Sequence, residues 1–152
     1  MKKIFTLAFL ALTLLVTACG KSNNDNPNPT PLQDDTKKAL IGTWYLVSSN
    51  DAGEDVKLTE CNKKSHIIIT EDQFINVGFH FKKSTGDCIK QPDLKFTYSI
   101  SNNTLLLTSI EKKKIVAIFS ISGNNLILKI LKKKDDGQDE IIQKDVYIKR
   151  NS

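Results

Sequence analysis

Residues 94–131 read LKFTYSISNNTLLLTSIEKKKIVAIFSISGNNLILKIL, and they contain the clearest pattern of strands and turns in the chain. In FTYSI, residues 96–100, apolar and polar side chains alternate with the period of two that is typical of a strand with one buried face. The Ser, Asn and Gly residues at 101–103 and 122–124 are turn formers. The stretch therefore predicts four strands, each antiparallel to the next, at 94–100, 104–110, 115–121 and 125–131.

The strand pattern continues on both sides of this stretch. Further strands are predicted at 43–49, 64–70, 74–81 and 140–149. Residues 57–60 would add a ninth strand, and residues 34–41 predict one or two helical turns that end at Gly42. After Gly42 the sequence shows no helical pattern longer than about two turns. The expected fold is all-β, with eight or nine short antiparallel strands arranged as a closed up-and-down barrel or as a sandwich.

The connections between the eight strands fall into two groups. If the strands run alternately up and down, successive connections alternate between the two ends of the fold. The long or charged connections then share one end, which we call the mouth, at 50–63, 82–93, 111–114 and 132–139. The tight turns share the other end, the base, at 71–73, 101–103 and 122–124.

The N-terminus has the features of a secretion signal at residues 1–18. Lys2 and Lys3 precede an apolar run at 4–16, which is shorter than the roughly 20 residues of a membrane-spanning helix. An N-terminal transmembrane anchor is the alternative. The sequence before Cys19, Val16-Thr17-Ala18, resembles a bacterial lipobox, in which the Cys becomes lipidated and N-terminal.

The lipobox resemblance implies an acylated Cys19 that holds the protein in the lipid membrane of the cell envelope. Gly20 rather than Asp follows the Cys, which in enteric-type sorting favours the outer membrane, facing either the periplasm or the medium. Residues 19–36, which hold three of the four prolines, predict a disordered tether. Without Lys2 and Lys3 the net charge is about +3, too small to favour nucleic acid as a partner.

Two of the three cysteines are left to pair once Cys19 carries the lipid. Cys61 and Cys88 both lie in mouth-end connections, and an exported protein folds in an oxidising compartment. The expected outcome is a Cys61–Cys88 disulfide. Two free thiols or half of a metal site are the alternatives.

The opening of the first strand resembles a lipocalin. Gly42-Thr43-Trp44 matches the Gly-x-Trp motif of that family and contains the only Trp of the chain, and Arg150, the only Arg, follows the last strand. The resemblance covers roughly residues 40–150. It implies a lipocalin-like β-barrel domain at 37–152, in which Trp44 packs across the base with Gly42 and the Arg150 guanidinium lies over the Trp44 ring.

No enzymatic motif is present, so neither a catalytic residue, a metal nor a cofactor is expected. His66 and His80 are expected to point outward from their strands. The lysine runs at 63–64, 82–83, 112–114 and 132–134 either protect strand ends or form a positive rim at the mouth.

The expected function is the non-enzymatic binding, by a monomer, of a small hydrophobic or anionic amphipathic ligand at the mouth. Phe79, Phe81, Phe96 and Phe119 are the candidate ligand-binding residues. An eight-stranded barrel can also be completely filled by its own side chains. The alternative is then a structural or interaction module that acts through its loops, and a hollow or packed interior would separate the two.

Overall fold

The computed structural model describes the backbone of residues 31–150 and the side chains of residues 34–150. The predicted signal peptide, Cys19 and the first part of the predicted tether lie outside these residues. The elements are α1 Pro31–Leu40, β1 Gly42–Asp51, β2 Glu54–Asp55, β3 His66–Ile69, β4 Gln73–Val77, β5 Phe79–Lys82, β6 Asp87–Lys90, β7 Leu94–Ser101, β8 Thr104–Ser109, β9 Lys114–Ser122, β10 Asn125–Lys133 and β11 Asp139–Lys149. A single 3-10 turn at Asn62–Lys64 precedes β3.

Eight of these strands form a closed antiparallel barrel. The hydrogen-bonded order is β11-β10-β9-β8-β7-β4-β3-β1, and β11 also pairs with β1. Each strand thus lies beside its neighbour along the chain, which confirms the up-and-down barrel and excludes the sandwich. The extra strand is β2, which pairs with the end of β1. The ninth strand predicted at 57–60 is wrong, because these residues lie in the loop between β2 and the 3-10 turn.

The continuous strand predicted at 74–81 is also wrong. The chain leaves the barrel at Gly78, and β5 pairs with β6 in a separate two-stranded sheet. The backbone N–H of Gln91 donates to the Gly78 carbonyl oxygen at 2.8 Å and closes the neck of this hairpin. Glycine weakens a strand interior, whereas the apolar alternation continues through Phe79 and Phe81 and conceals the break.

Side chains from every barrel strand fill the interior. Trp44, Leu105 and Leu126 are at most 1% exposed. Cross-strand partners lie beside one another, as Phe119 of β9 does beside Leu128 of β10. The remaining buried cluster includes Ile67, Ile69, Phe74, Ile100, Leu107, Ala117 and Tyr147. Burial of apolar surface at about 25 cal/mol per Å² is the main force that stabilises such a core.

Helix α1 closes the base of the barrel. Leu40 at its end is 0% exposed, and the Trp44 indole Nε1 donates to the Leu40 carbonyl oxygen at 2.8 Å. A Lys37–Glu71 ion pair at 3.2 Å links the helix to the β3–β4 turn. Pro31 suits the first turn of a helix, where a missing N–H leaves no bond unmade. The helix therefore begins inside the segment predicted as tether. Within the described residues, no helix has the length and apolar character to span a membrane.

Candidate functional site

The long and the short connections lie at opposite ends of the barrel, as predicted. The four connections at the mouth comprise residues 52–65, 78–93, 110–113 and 134–138. The base has the tight turns at 70–72, 102–103 and 123–124 together with α1. The longer connections at the mouth provide more residues from which a binding site could be formed than the tight turns at the base do.

A cleft of about 730 Å³ opens at the mouth between the start of β7, the end of β8 and the start of β9. We call it the lip groove. Its apolar lining consists of Leu94, Phe96, Ile110 and Ile115. Leu94 is 55% exposed and Ile110 is 90% exposed. These two side chains therefore present apolar surface to solvent at the rim of the barrel.

Charged side chains surround this apolar lining. Lys95, Lys113 and Lys114 line the lip groove together with Asp93 and Glu111. Lys113 pairs with Glu111 at 2.9 Å. Asp93 pairs with Lys90, outside the groove, also at 2.9 Å. Both carboxylates are thus matched, whereas Lys95 and Lys114 form no ion pair with any residue that the structure describes. The unmatched charge of the groove is positive.

Two other clefts lie at the mouth. One, of about 330 Å³, surrounds the disulfide and is lined by Cys61, Cys88, Phe81 and Lys64 among others. The second, of about 570 Å³, lies on the β10–β11 tip at 132–140 and has only lysines and carboxylates in its lining. The β10–β11 cleft has no apolar side chain that could contact the apolar part of a ligand. Of these three clefts the lip groove is the largest, and it has four apolar side chains in its lining.

The Cys61–Cys88 disulfide predicted from the sequence is confirmed. The two sulfur atoms are 2.04 Å apart and the Cα atoms 5.4 Å apart. The bond joins the first mouth-end connection to the β5–β6 hairpin. Asn62 Nδ2 also donates to the Phe79 carbonyl oxygen at 3.1 Å. The disulfide and the hydrogen bonds therefore hold the hairpin against the barrel. A two-stranded sheet on its own is only marginally stable in water, so these attachments stabilise it.

At the base, Lys149 rather than Arg150 covers Trp44. The Lys149 ammonium lies 5.0 Å from the Trp44 ring centroid, whereas the Arg150 guanidinium lies 4.6 Å from that of Tyr45. The predicted stacking of Arg150 on Trp44 is wrong because Trp44 and Lys149 are register partners. Successive side chains of a strand point to opposite faces, so Arg150 lies on the outer face.

Gly42 lies under the Lys149 side chain. A Cβ at this position would come within 2.6 Å of Lys149 Cε, and the Gly42 φ angle of +139° strains any other residue. Gly42, Trp44 and Lys149 thus form the base packing.

The sequence profile of the lipocalin-like domain family matches residues 40–142. The chain belongs to the lipocalin-like family. The match begins at the base-closing Leu40 and extends into β11, so it includes all four mouth-end connections. Comparison with curated proteins finds no match to this chain.

The four phenylalanines predicted to bind ligand lie at four different places in this lipocalin-like domain. Phe96 lines the lip groove. Phe81 lines the cleft beside the disulfide, and Phe79 lies on the outer face, where its ring centroid is 6.4 Å from that of His66. Phe119 is buried, and its backbone N–H donates to the carbonyl oxygen of Asn103 in a base turn. Only Phe96 is therefore part of the lip groove.

A polar cluster that the sequence pattern did not predict lies inside the lipocalin-like barrel. Asp145 is 7% exposed and accepts three hydrogen bonds: from Ser49 Oγ at 2.6 Å, Gln143 Nε2 at 2.8 Å and the Tyr147 hydroxyl at 3.1 Å. Burial, together with the adjacent Asp145 carboxylate, raises the pKa of Tyr147 well above its ordinary value. Gln143, Asp145 and Tyr147 alternate along β11, a spacing that could have revealed the cluster. It joins β11 to β1 where the barrel closes.

Both histidines lie outside the barrel interior. His66 stacks on Tyr45 at 5.1 Å between centroids, and His80 Nδ1 lies 3.1 Å from Gln91 Nε2. In the described part of the chain, no three His, Cys, Asp or Glu side chains are grouped so that they could hold a metal ion.

Proposed function

We propose that this lipocalin-like domain is a non-enzymatic binding protein that takes a small hydrophobic or anionic amphipathic ligand in the lip groove. The observation that carries the proposal is the exposed apolar surface of Leu94 and Ile110 in a cleft of about 730 Å³. Small-molecule sites usually measure about 300–1,000 Å³ and are mostly apolar, with a few polar groups that orient the ligand.

Because side chains fill the barrel interior, we place the ligand at the rim rather than on the barrel axis. Leu105 and Leu126, at 0% exposure, and Phe119 take up the central space that a ligand would need. A ligand in the groove between β7, β8 and β9 would not have to displace any of these buried side chains. We therefore assign the ligand to the rim, with Phe96 as the one predicted phenylalanine in contact with it.

The charge of the rim favours an anionic head group. Lys95 and Lys114 have no carboxylate partner among the described residues, whereas Asp93 and Glu111 are each paired with a lysine. We infer that the head group of an amphipathic ligand lies at the edge of the groove, which these lysines line. Such charge pairing is favourable where water is partly excluded.

We also propose that acylated Cys19 anchors the domain in the cell envelope, in the outer membrane. Residues 20–30 separate Cys19 from α1 and can span at most about 40 Å. This segment joins the start of α1, and its reach exceeds the roughly 30 Å length of a nine-residue strand, so the mouth as well as the base of the barrel can reach the bilayer. Replacement of Cys19 by Ala should release the protein from membranes and abolish acyl labelling, and continued anchorage would contradict this.

Ligand binding is tested with two probes on the Cys19→Ala chain: the neutral fluorophore N-phenyl-1-naphthylamine and the anion laurate. Leu94→Asp should weaken the binding of both probes at least tenfold, because it places a charge in the apolar lining. The double variant Lys95→Gln/Lys114→Gln should weaken laurate and leave the neutral probe unchanged.

The matched control is Val47→Asp. Val47 is 44% exposed on β1, whose neighbours in the barrel are β11 and β3 rather than the groove strands. This variant should bind both probes as the parent does. Equal affinities of the parent and Leu94→Asp would reject the lip groove as the ligand site.

The second candidate function is a filled-barrel module that acts through its loops at the cell envelope. The packed interior and the 90% exposure of Ile110 favour it. A chain that binds neither probe would support this function over ligand binding.

A further inference from the structure

We propose that the loop between β8 and β9 docks on an anionic lipid bilayer. This loop comprises residues 110–113 at the edge of the lip groove. The inference goes beyond ligand binding and does not depend on it, because it rests on the shape, charge and residue types of the loop itself.

The apolar tip of this loop is Ile110. At 90% exposure it is more exposed than any other large hydrophobic side chain that the structure describes. Leu94, 55% exposed, lies in the same groove. Transfer of an exposed isoleucine from water to an apolar environment is favourable by about 1.5–3 kcal/mol, so the tip has a clear gain from contact with acyl chains.

The loop is already ordered in the free protein. The Ser109 N–H donates to the Lys113 carbonyl oxygen and the Lys112 N–H to the Ser109 carbonyl oxygen, both at 2.9 Å. The Ser109 hydroxyl oxygen accepts a third bond from the Lys113 N–H at 3.1 Å. These bonds fix the residues on either side of Ile110, so docking costs little conformational entropy.

Lysines surround the apolar tip. Lys112 and Lys114 form no ion pair among residues 34–150, and Lys113 is matched by Glu111. Lys95 adds a further unmatched charge at the groove. The loop and its surroundings are therefore positive, the sign that an anionic lipid surface attracts.

The residue types favour lipid over a protein partner. Protein interfaces are enriched in Tyr, Trp and Arg and depleted of Lys. The loop offers an aliphatic tip with lysines and no aromatic side chain, and the only Arg of the chain is Arg150 at the base. Lysine side chains extend along an apolar surface and keep their ammonium groups at the head-group level.

The β10–β11 tip at 132–140 provides an internal contrast. Its three lysines are outnumbered by Asp135, Asp136, Asp139 and Glu140. It also lacks an apolar side chain in its cleft. The mouth is thus asymmetric, and we expect docking through the β8–β9 side only. Docking on this side would place the open groove against lipid, where an amphipathic ligand could enter without crossing water.

The test measures cosedimentation of the full chain carrying Cys19→Ala, which removes the lipidation site, with two kinds of vesicle. One contains equal parts of phosphatidylglycerol and phosphatidylcholine, and the other only phosphatidylcholine. We expect binding to the anionic vesicles that weakens with salt. Ile110→Asp should lower the partition coefficient about tenfold or more. Lys112→Gln and Lys114→Gln should lower it about fivefold each.

Two matched controls test the location of the docking surface. Lys133→Gln removes a lysine from the β10–β11 tip, and Val47→Asp places a charge at an exposed valine on the side of the barrel; both should bind as the parent does. The proposal is overturned if Lys133→Gln loses as much binding as Lys112→Gln, or if Ile110→Asp binds as the parent does.

Absence of binding to either vesicle would likewise overturn docking on lipid and leave a protein partner for the loop. The probe titrations are made without vesicles. A chain that binds N-phenyl-1-naphthylamine but not vesicles would therefore contradict docking and leave ligand binding in place.

Discussion

Replacement of Leu40 by Ala tests whether α1 is part of the folded barrel. Leu40 is 0% exposed and its carbonyl oxygen accepts the Trp44 indole N–H at 2.8 Å. Removal of a fully buried leucine side chain costs about 2–5 kcal/mol. We expect about 3 kcal/mol, because the site lies at the end of the barrel, where α1 can partly settle into the space.

The assay is urea unfolding followed by tryptophan emission. Trp44 is the only Trp of the chain and is 1% exposed, so its emission reports on the base directly. With a urea dependence of about 1–3 kcal/mol per M, the loss should lower the unfolding midpoint by at least about 1 M. Emission of the folded variant should also shift towards the red as water reaches the indole.

Ile110→Ala is the matched control, because this side chain is 90% exposed and its truncation should change the free energy of unfolding by less than about 0.5 kcal/mol. Equal midpoints for Leu40→Ala and Ile110→Ala would refute the conclusion that α1 closes the base. A lower midpoint with unchanged emission of the folded state would place the loss outside the surroundings of Trp44.

Three further predictions concern the disulfide, the polar cluster and the base. The double variant Cys61→Ala/Cys88→Ala should lose about 3.5 kcal/mol of stability, given the 27-residue separation, and the parent chain in reductant should unfold at a similar urea concentration. Burial raises the pKa of Tyr147, so above pH 10 the folded state keeps a phenolic proton that the unfolded state loses. The free energy of unfolding should therefore fall by about 1.4 kcal/mol per pH unit above pH 10. In urea titrations at several pH values, Tyr147→Phe should show a shallower fall. Gly42→Ala should cost at least about 1 kcal/mol in thermal unfolding, because its φ of +139° disfavours any side chain, and an unchanged melting temperature would contradict this.

The sequence was sufficient to predict the features that depend on local side-chain patterns and on the number of strands and cysteines. Period-two alternation and turn residues predicted the barrel strands, except that the strand at 74–81 ends at Gly78. The even number of strands then assigned the long connections to one end of the barrel. Because Cys61 and Cys88 both lie in these connections, their pairing was predicted on the expectation that Cys19 carries a lipid.

The tertiary structure decided which side chains share a face and what space is left between them. Register places Lys149, not Arg150, over Trp44, and a shift by one residue exchanges the two faces of a strand. The same alignment brings Asp145 opposite Ser49 in the interior, and it leaves Leu94 and Ile110 at the rim of a barrel that other side chains have filled. These arrangements depend on pairings between residues far apart in the chain, and a local sequence pattern contains no information about the distance between such residues.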